Sequence, residues 1–90
     1  METDVATLAR QTYNLLVVDD ERTLRFTLKE SLTEEGYRVE TAADVAEALS
    51  LLEREEFHVA LEDQKLPDES GIQLQKRINP KRPETQDIIM

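Results

Sequence analysis

Short apolar runs alternate with helical stripes along this chain. A continuous β-favouring run at residues 15–18 and a mostly apolar run at residues 57–61 are typical of strands buried on both faces of a sheet. Residues 38–42 alternate between polar and less polar side chains, which predicts a strand with one drier face, and residues 88–90 begin a fourth apolar run. The pattern therefore predicts four strands, of which the first and third lie inside a sheet.

Apolar residues at helical spacing occupy the intervals between these strands. They fall on three stripes: Leu24, Leu28 and Leu32; Val45, Ala48, Leu49 and Leu52; and Leu74 and Ile78. The resulting order, βαβαβαβ, favours a parallel, doubly wound sheet of the α/β class. Because the amphipathic second strand suits an edge and the first and third strands suit the interior, we expect the flavodoxin-like strand order 2-1-3-4.

Residues that favour helix ends bracket these stripes. Asp20 is the predicted N-cap of the first helix, and Gly36 follows its last turn. Asp44 and the glutamate three residues later resemble a capping box at the start of the second helix. Pro80 is expected to end the third helix near the preceding residue, because its ring disfavours helical conformation there. Phe26 lies off the first stripe and is expected to face solvent or a partner.

Length, charge and cysteine content limit what this chain can be. Its 90 residues form one small domain, with residues 1–12 expected as a flexible tail and residues 13–90 as the folded part. The formal charge of −9, from 20 acidic and 11 basic residues, argues against direct binding of nucleic acid or an anionic membrane. The absence of cysteine excludes disulfides, and no apolar run approaches the roughly 20 residues that a membrane helix needs. We therefore expect a cytoplasmic protein.

Three aspartates follow the predicted interior strands. Asp19 and Asp20 come directly after the first strand, and Asp63 comes after the third. In a doubly wound sheet, ligands bind at the carboxyl ends of the strands where the winding direction changes, so we expect the three carboxylates to meet there. Such carboxylates repel one another unless a cation neutralises them, and oxygen-only ligation favours Mg²⁺. The alternative is that Asp20 is only a helix cap and Asp19 only a solvated acid.

Two segments of the chain resemble a known family. The sequence LVVDDE at residues 16–21 and the sequence DQKLPDESG at residues 63–71, with GYRV at residues 36–39 between them, resemble the receiver domain of two-component response regulators. The resemblance covers about residues 13–90 and is carried by the combination of the acidic pair with the later motif.

This resemblance implies a phosphorylation switch. Asp63 matches the catalytic phosphoacceptor, whose carboxylate takes the phosphoryl group from a phosphohistidine on a sensor histidine kinase. The residues that match the Mg²⁺ ligands are Asp19, Asp20 and Asp63, with the backbone carbonyl of Lys65 as a further ligand. Such a domain assists its own phosphorylation, switches an output domain and is not a turnover enzyme on a separate substrate.

The chain departs from the family pattern in two respects. It ends at Met90, inside the predicted fourth strand, whereas receiver domains continue to a fifth strand and contribute a Ser or Thr and a Lys to the phosphoryl site. We therefore expect an incomplete domain from a longer protein, whose last segment resembles receivers of enhancer-binding transcription activators. Glu62 and Asp87 also stand where the family usually has apolar or small residues, and a buried, unpaired Glu62 would be costly.

Other functions stay open from the residues alone. A pseudo-receiver would keep the fold and dock or form a homodimer without phosphate. A hydrolase or phosphotransferase would use the aspartate on a small substrate, although no second acid or base for turnover is visible in the sequence. His58 is expected to be a packed histidine or a strand-start histidine. A late group of basic residues is expected to be a solvated surface: Lys65, Lys76, Arg77, Lys81 and Arg82.

Overall fold

The computed structural model describes residues 13–68, 70–81 and 84–90, with the backbone alone for residues 79–81. The predicted tail at residues 1–12 and the basic residue Arg82 lie outside this description. The described elements are β1 (Asn14–Val18), α1 (Arg22–Glu34), β2 (Arg38–Ala42), α2 (Val45–Arg54), β3 (Val59–Glu62), α3 (Gly71–Lys81) and β4 (Gln86–Ile89).

All four strands pair in parallel, in the order β2-β1-β3-β4. This confirms the predicted α/β class and strand order. From β1 the chain moves to one side for β2 and to the other side for β3, so the carboxyl ends of β1 and β3 flank the change of winding direction. In the register of the two central strands, Val18 lies beside Glu62, and the residues that follow them are Asp19 and Asp63.

The sheet separates two layers of apolar side chains. On one face, the strand residues Leu16, Val18 and Ala60 pack with α2 and α3. On the other face, Leu15 and Val17 pack with the stripe of α1. Successive side chains of a strand point to opposite faces, which explains how a continuous apolar run supplies both layers.

The end of α1 follows its sequence signal, whereas its start does not. Gly36 has φ 101°, its N–H donates to Thr33 O at 3.0 Å, and the next N–H donates to Leu32 O at 3.1 Å. These are the bonds of a Schellman motif and confirm the prediction for Gly36. The prediction that Asp20 caps α1 is wrong, because Glu21 is the N-cap residue and the N–H of Glu21 is bound by the carboxylate of Asp19.

The capping boxes of α2 and α3 are present. Asp44 Oδ1 accepts from Glu47 N at 2.8 Å, and the return bond from Glu47 reaches Ala43 N, one residue earlier than in the standard motif. Ser70 and Gln73 make the reciprocal pair at α3.

Several predicted element boundaries differ from the structure; the fourth strand, for example, spans Gln86–Ile89 and not residues 88–90. The helical backbone of α3 continues to Lys81 and does not end before Pro80. The φ angle that the proline ring fixes is itself helical, and the hydrogen bond that Pro80 cannot donate lies in the last turn of the helix. The third strand begins at Val59 and includes Glu62, so buried Phe57 precedes it.

Candidate functional site

Three carboxylates meet at the carboxyl ends of β1 and β3. One oxygen each from Asp19, Asp20 and Asp63 lies within 4.8 Å of the others. Asp19 is buried, Asp63 is half-buried and Asp20 is exposed, so the group opens to solvent on one side. The structure therefore brings together residues separated by more than forty positions, as the sequence predicted.

Asp19 is held from three directions. Its N–H donates to Ala42 O at 3.0 Å, which ties it to the end of β2. Its Oδ1 accepts from Glu21 N at 2.8 Å, and its carbonyl oxygen accepts from Arg25 Nη1 at 2.8 Å. The side-chain orientation and the backbone position of this acid are thus fixed by separate hydrogen bonds. Arg25 is not among the residues predicted from the sequence, although an arginine one turn into the helix after the acidic pair is a usable signal.

Asp63 is fixed by the strand before it and by the loop after it. Its N–H donates to Val18 O at 2.9 Å, and its Oδ1 accepts from Lys65 N at 3.2 Å. Gly71 packs directly against the same residue, since a Cβ at that position would collide with the carbonyl oxygen of Asp63. Glycine is therefore required by close approach of the backbone, and not by its φ.

The donor set fits a hard divalent cation. All three side chains offer carboxylate oxygens, which Mg²⁺ prefers, and the oxygens around one Mg²⁺ ion lie up to about 4.2 Å apart, close to the spacing seen here. One exposed and one half-buried ligand leave room for the waters that Mg²⁺ retains. The role of the Lys65 carbonyl as a fourth ligand stays a prediction.

Glu62 is the unusual residue of the site. Its side chain is completely buried beside the phosphoacceptor candidate, and no donor among the described residues binds either of its carboxyl oxygens. Burial raises the pKa of Glu62 to about 9, and the neighbouring Asp87 carboxyl adds to the rise. Glu62 is therefore neutral at pH 7, which avoids placing a buried charge next to the three aspartates.

The other chemical candidates do not belong to the group of three aspartates. His58 lies just before β3, at the opposite end of the sheet, where its Nδ1 accepts from Asn14 N at 2.9 Å and its ring stacks on Tyr13 at 5.0 Å. This agrees with the expected strand-start histidine. Lys76 and Arg77 are exposed on α3, as expected of a solvated surface. Phe26 is 63% exposed on α1, as expected.

The loop after Asp63 makes one contact that the sequence analysis did not predict. Both carboxylate oxygens of Asp68 accept backbone N–H groups at the start of α2, more than twenty residues earlier in the chain. No local spacing pattern marks such a pair.

No helix in the described part of the chain is both long and apolar enough to cross a membrane.

Comparisons with known proteins point to one family. The family description "Response regulator receiver domain" matches residues 15–90. The chain is 40% identical over 68 residues to the response regulator RR06 of Streptococcus pneumoniae, covering 76% of this chain and 31% of that protein. It is 40% identical over 70 residues to the response regulator protein PilR of Pseudomonas aeruginosa, covering 78% of this chain and 16% of that protein. The chain thus spans less than a third of the length of these relatives.

A solved structure with the same fold carries a ligand of the expected kind. The response regulator protein TrrA from Thermotoga maritima, in complex with Mg²⁺ and BeF, superimposes with a TM-score of 0.81 at 35% identity. The match covers 87% of this chain and 68% of that one.

Proposed function

The chain belongs to the response regulator receiver domains, and from this premise we propose that Asp63 accepts a phosphoryl group from a sensor histidine kinase in a Mg²⁺-dependent reaction. The observation that carries the proposal is the convergence of Asp63 with Asp19 and Asp20 within 4.8 Å. Receiver domains bind Mg²⁺ at a cluster of acidic residues, and the convergence of these three aspartates supports the same role here.

The proposed transfer follows from the chemistry of the residues. A carboxylate oxygen of Asp63 forms the new bond to phosphorus as the bond from phosphorus to the imidazole nitrogen of the phosphohistidine breaks, and the electron pair stays on that nitrogen. Asp19, Asp20, Asp63 and the carbonyl of Lys65 would hold the Mg²⁺ ion. When bound, the ion offsets the repulsion between the carboxylate and the phosphoryl oxygens and stabilises the charge that develops during transfer.

The protein contributes a fixed nucleophile. The carboxylate of Asp63 is oriented by the N–H of Lys65, and its backbone is braced by Val18 and by the close approach of Gly71. Orientation of this kind reduces the entropy lost on reaching the reacting geometry. The aspartyl phosphate would then switch an output domain. We expect the protein to be cytoplasmic and its output to be the regulation of transcription.

One observation favours a second candidate. Buried Glu62, next to the acceptor and beside Asp87, is the kind of departure expected of a pseudo-receiver that docks or dimerises without phosphate. Since its raised pKa favours the neutral form at pH 7, Glu62 adds no negative charge beside Asp63, and we prefer the phosphorylated receiver.

Acetyl phosphate labelling tests the proposal. With Mg²⁺ present, the chain should acquire a hydroxylamine-labile acyl phosphate, and labelling should stop when the metal is chelated. Asp63→Asn should abolish the label, whereas Glu21→Gln, which changes an exposed acid outside the carboxylate group, should retain it. Labelling of the Asp63→Asn variant would reject the assigned acceptor. Because the Ser or Thr and the Lys of the family's phosphoryl site are not among these 90 residues, the pseudo-receiver would be favoured by a folded full-length parent protein that binds Mg²⁺ but takes no label.

A further inference from the structure

The loop that follows Asp63 is anchored to α2 by a carboxylate at its tip. Asp68 Oδ1 accepts from Val45 N at 3.1 Å, and Asp68 Oδ2 accepts from Ala46 N at 3.2 Å. These are the first two N–H groups of α2, which have no partner within the helix. The contact joins segments that are separated by 22 and 23 positions in the chain.

The base of the same loop is already closed. Lys65 and Ser70 form an antiparallel bridge, Gly71 N donates to Gln64 O at 3.1 Å, and Leu66 is buried in the apolar layer. Asp68 therefore fixes the position of a loop whose ends are already held. The same loop contains the Lys65 peptide, whose N–H binds the carboxylate of Asp63.

The other side of this contact, the start of α2, is connected to Asp19. The helix α2 starts directly after β2, and the last residue of β2, Ala42, accepts the N–H of Asp19 at 3.0 Å. Asp68 thus links the segment that orients Asp63 with the segment that holds Asp19. The three acids repel one another, so a link between their supports opposes their separation.

Helix capping alone does not explain this contact. Asp44 already caps α2 locally by accepting the third N–H of the helix, from Glu47. The carboxylates of Asp44 and Asp68 both lie at the positive, N-terminal end of the α2 dipole, but only Asp68 belongs to a loop that is distant in sequence. The chain therefore offers two caps on one helix end, of which one can influence the acid cluster and the other is a matched control.

We propose that Asp68 is a positioning residue for the acid cluster: its contact with Val45 and Ala46 sets the Lys65 peptide and, through it, the metal-binding arrangement of Asp63 and Asp19. The proposal rests on the proposed function, because Mg²⁺ is the group whose binding it is expected to improve. Outer residues that orient metal ligands change metal affinity when they are removed.

The test compares Asp68→Ala with Asp44→Ala in the purified chain. Both variants lose one cap of α2, so both should melt about 4–8 °C below the wild type. Titration calorimetry with MgCl₂ should show about a tenfold weaker Kd for Asp68→Ala and a change of less than about twofold for Asp44→Ala. Asp68→Asn, which keeps one carbonyl oxygen as an acceptor, should fall between Asp68→Ala and the wild type.

Amide hydrogen exchange without metal gives a second readout. In Asp68→Ala, exchange should accelerate at Val45, Ala46 and also at Lys65. In Asp44→Ala, it should accelerate at Glu47 but not at Lys65. Equal Mg²⁺ affinities for the two alanine variants, or protected exchange at Lys65 in Asp68→Ala, would overturn the proposal. If the wild type bound no Mg²⁺, the proposed function would fail, and exchange at Lys65 would still decide whether the loop depends on Asp68.

Discussion

The carboxyl group of Glu62 on β3 lies beside that of Asp87 on the edge strand β4, and Glu62 directly precedes the acceptor candidate Asp63. Glu62 is completely buried, and no donor among the described residues binds its carboxyl oxygens. Since burial first, and Asp87 second, raise the pKa of Glu62 to about 9, folding favours the protonated form of this side chain.

A pH-dependent stability follows from this pair. Between pH 4.5 and about 9 the folded chain keeps a proton that the unfolded chain releases, so stability should fall as the pH rises through this window. The slope from Glu62 alone reaches at most about 1.4 kcal/mol per pH unit. Glu62→Gln should remove this slope, as measured by urea unfolding across the window.

The control for this prediction is Glu53→Gln, which neutralises an exposed glutamate on α2. It should keep the wild-type slope. A Glu62→Gln variant that loses stability with pH as steeply as Glu53→Gln would contradict the neutral, buried state of Glu62.

Arg25 should contribute to stability through Asp19. Its Nη1 donates to the Asp19 carbonyl at 2.8 Å in a half-buried position, and hydrogen bonds from charged donors are stronger than neutral ones. Arg25→Ala should therefore cost about 1–2 kcal/mol in the free energy of unfolding, measured in urea. Arg22→Ala, at an exposed position on the same helix, should cost less than about 0.5 kcal/mol. Equal losses would mean that the bond to Asp19 does not stabilise the fold.

Gly71 should tolerate no side chain. An added Cβ meets the carbonyl of Asp63, which is backbone and cannot rotate away, so the loop must shift. Gly71→Ala should destabilise the fold by about 1–3 kcal/mol and slow labelling of Asp63 by acetyl phosphate. An alanine variant with wild-type unfolding and labelling would show that the loop moves freely at this point. Gly36→Asn is the comparison, because asparagine accepts positive φ and Gly36 lies far along the chain from the acceptor.

The sequence predicted most of the sheet because each strand carries its own burial pattern. The continuous run of β1 and the alternation of β2 place one strand inside and one at the edge, which determines the order of the first three strands. Convergence of Asp19 and Asp63 then follows from the parallel register of β1 with β3. These features depend on local residues and a simple topological rule.

Contacts between distant loops could not be predicted in the same way. Asp68 binds N–H groups of α2 that precede it by more than twenty residues, and a loop of turn-forming residues has no periodicity that reports its direction. The N-cap prediction at Asp20 failed because the contacts of the acid cluster decide the conformation there. The Asp19 carboxylate takes the N–H of Glu21, and Asp20 joins the acid cluster, so the site overrides the local capping preference.

A substitution at Asp20 should affect metal binding without weakening the fold, because Asp20 is the exposed member of the cluster and caps no helix. Without metal, Asp20→Asn should be as stable as the wild type or more stable, since it removes one of three repelling charges. With Mg²⁺ at 100 times its Kd, the wild type should gain about 2.7 kcal/mol, because the ion binds only the folded chain.

The Asp20→Asn variant should lose most of that gain at the same Mg²⁺ concentration, while Glu21→Gln should keep it. Thermal melting of each protein with and without MgCl₂ measures its stability without metal and the gain from Mg²⁺. A chelator should reverse the gain. If Mg²⁺ stabilised Asp20→Asn as much as the wild type, the ion would be binding elsewhere on this acidic chain. The three aspartates would then be neighbours without a shared ligand.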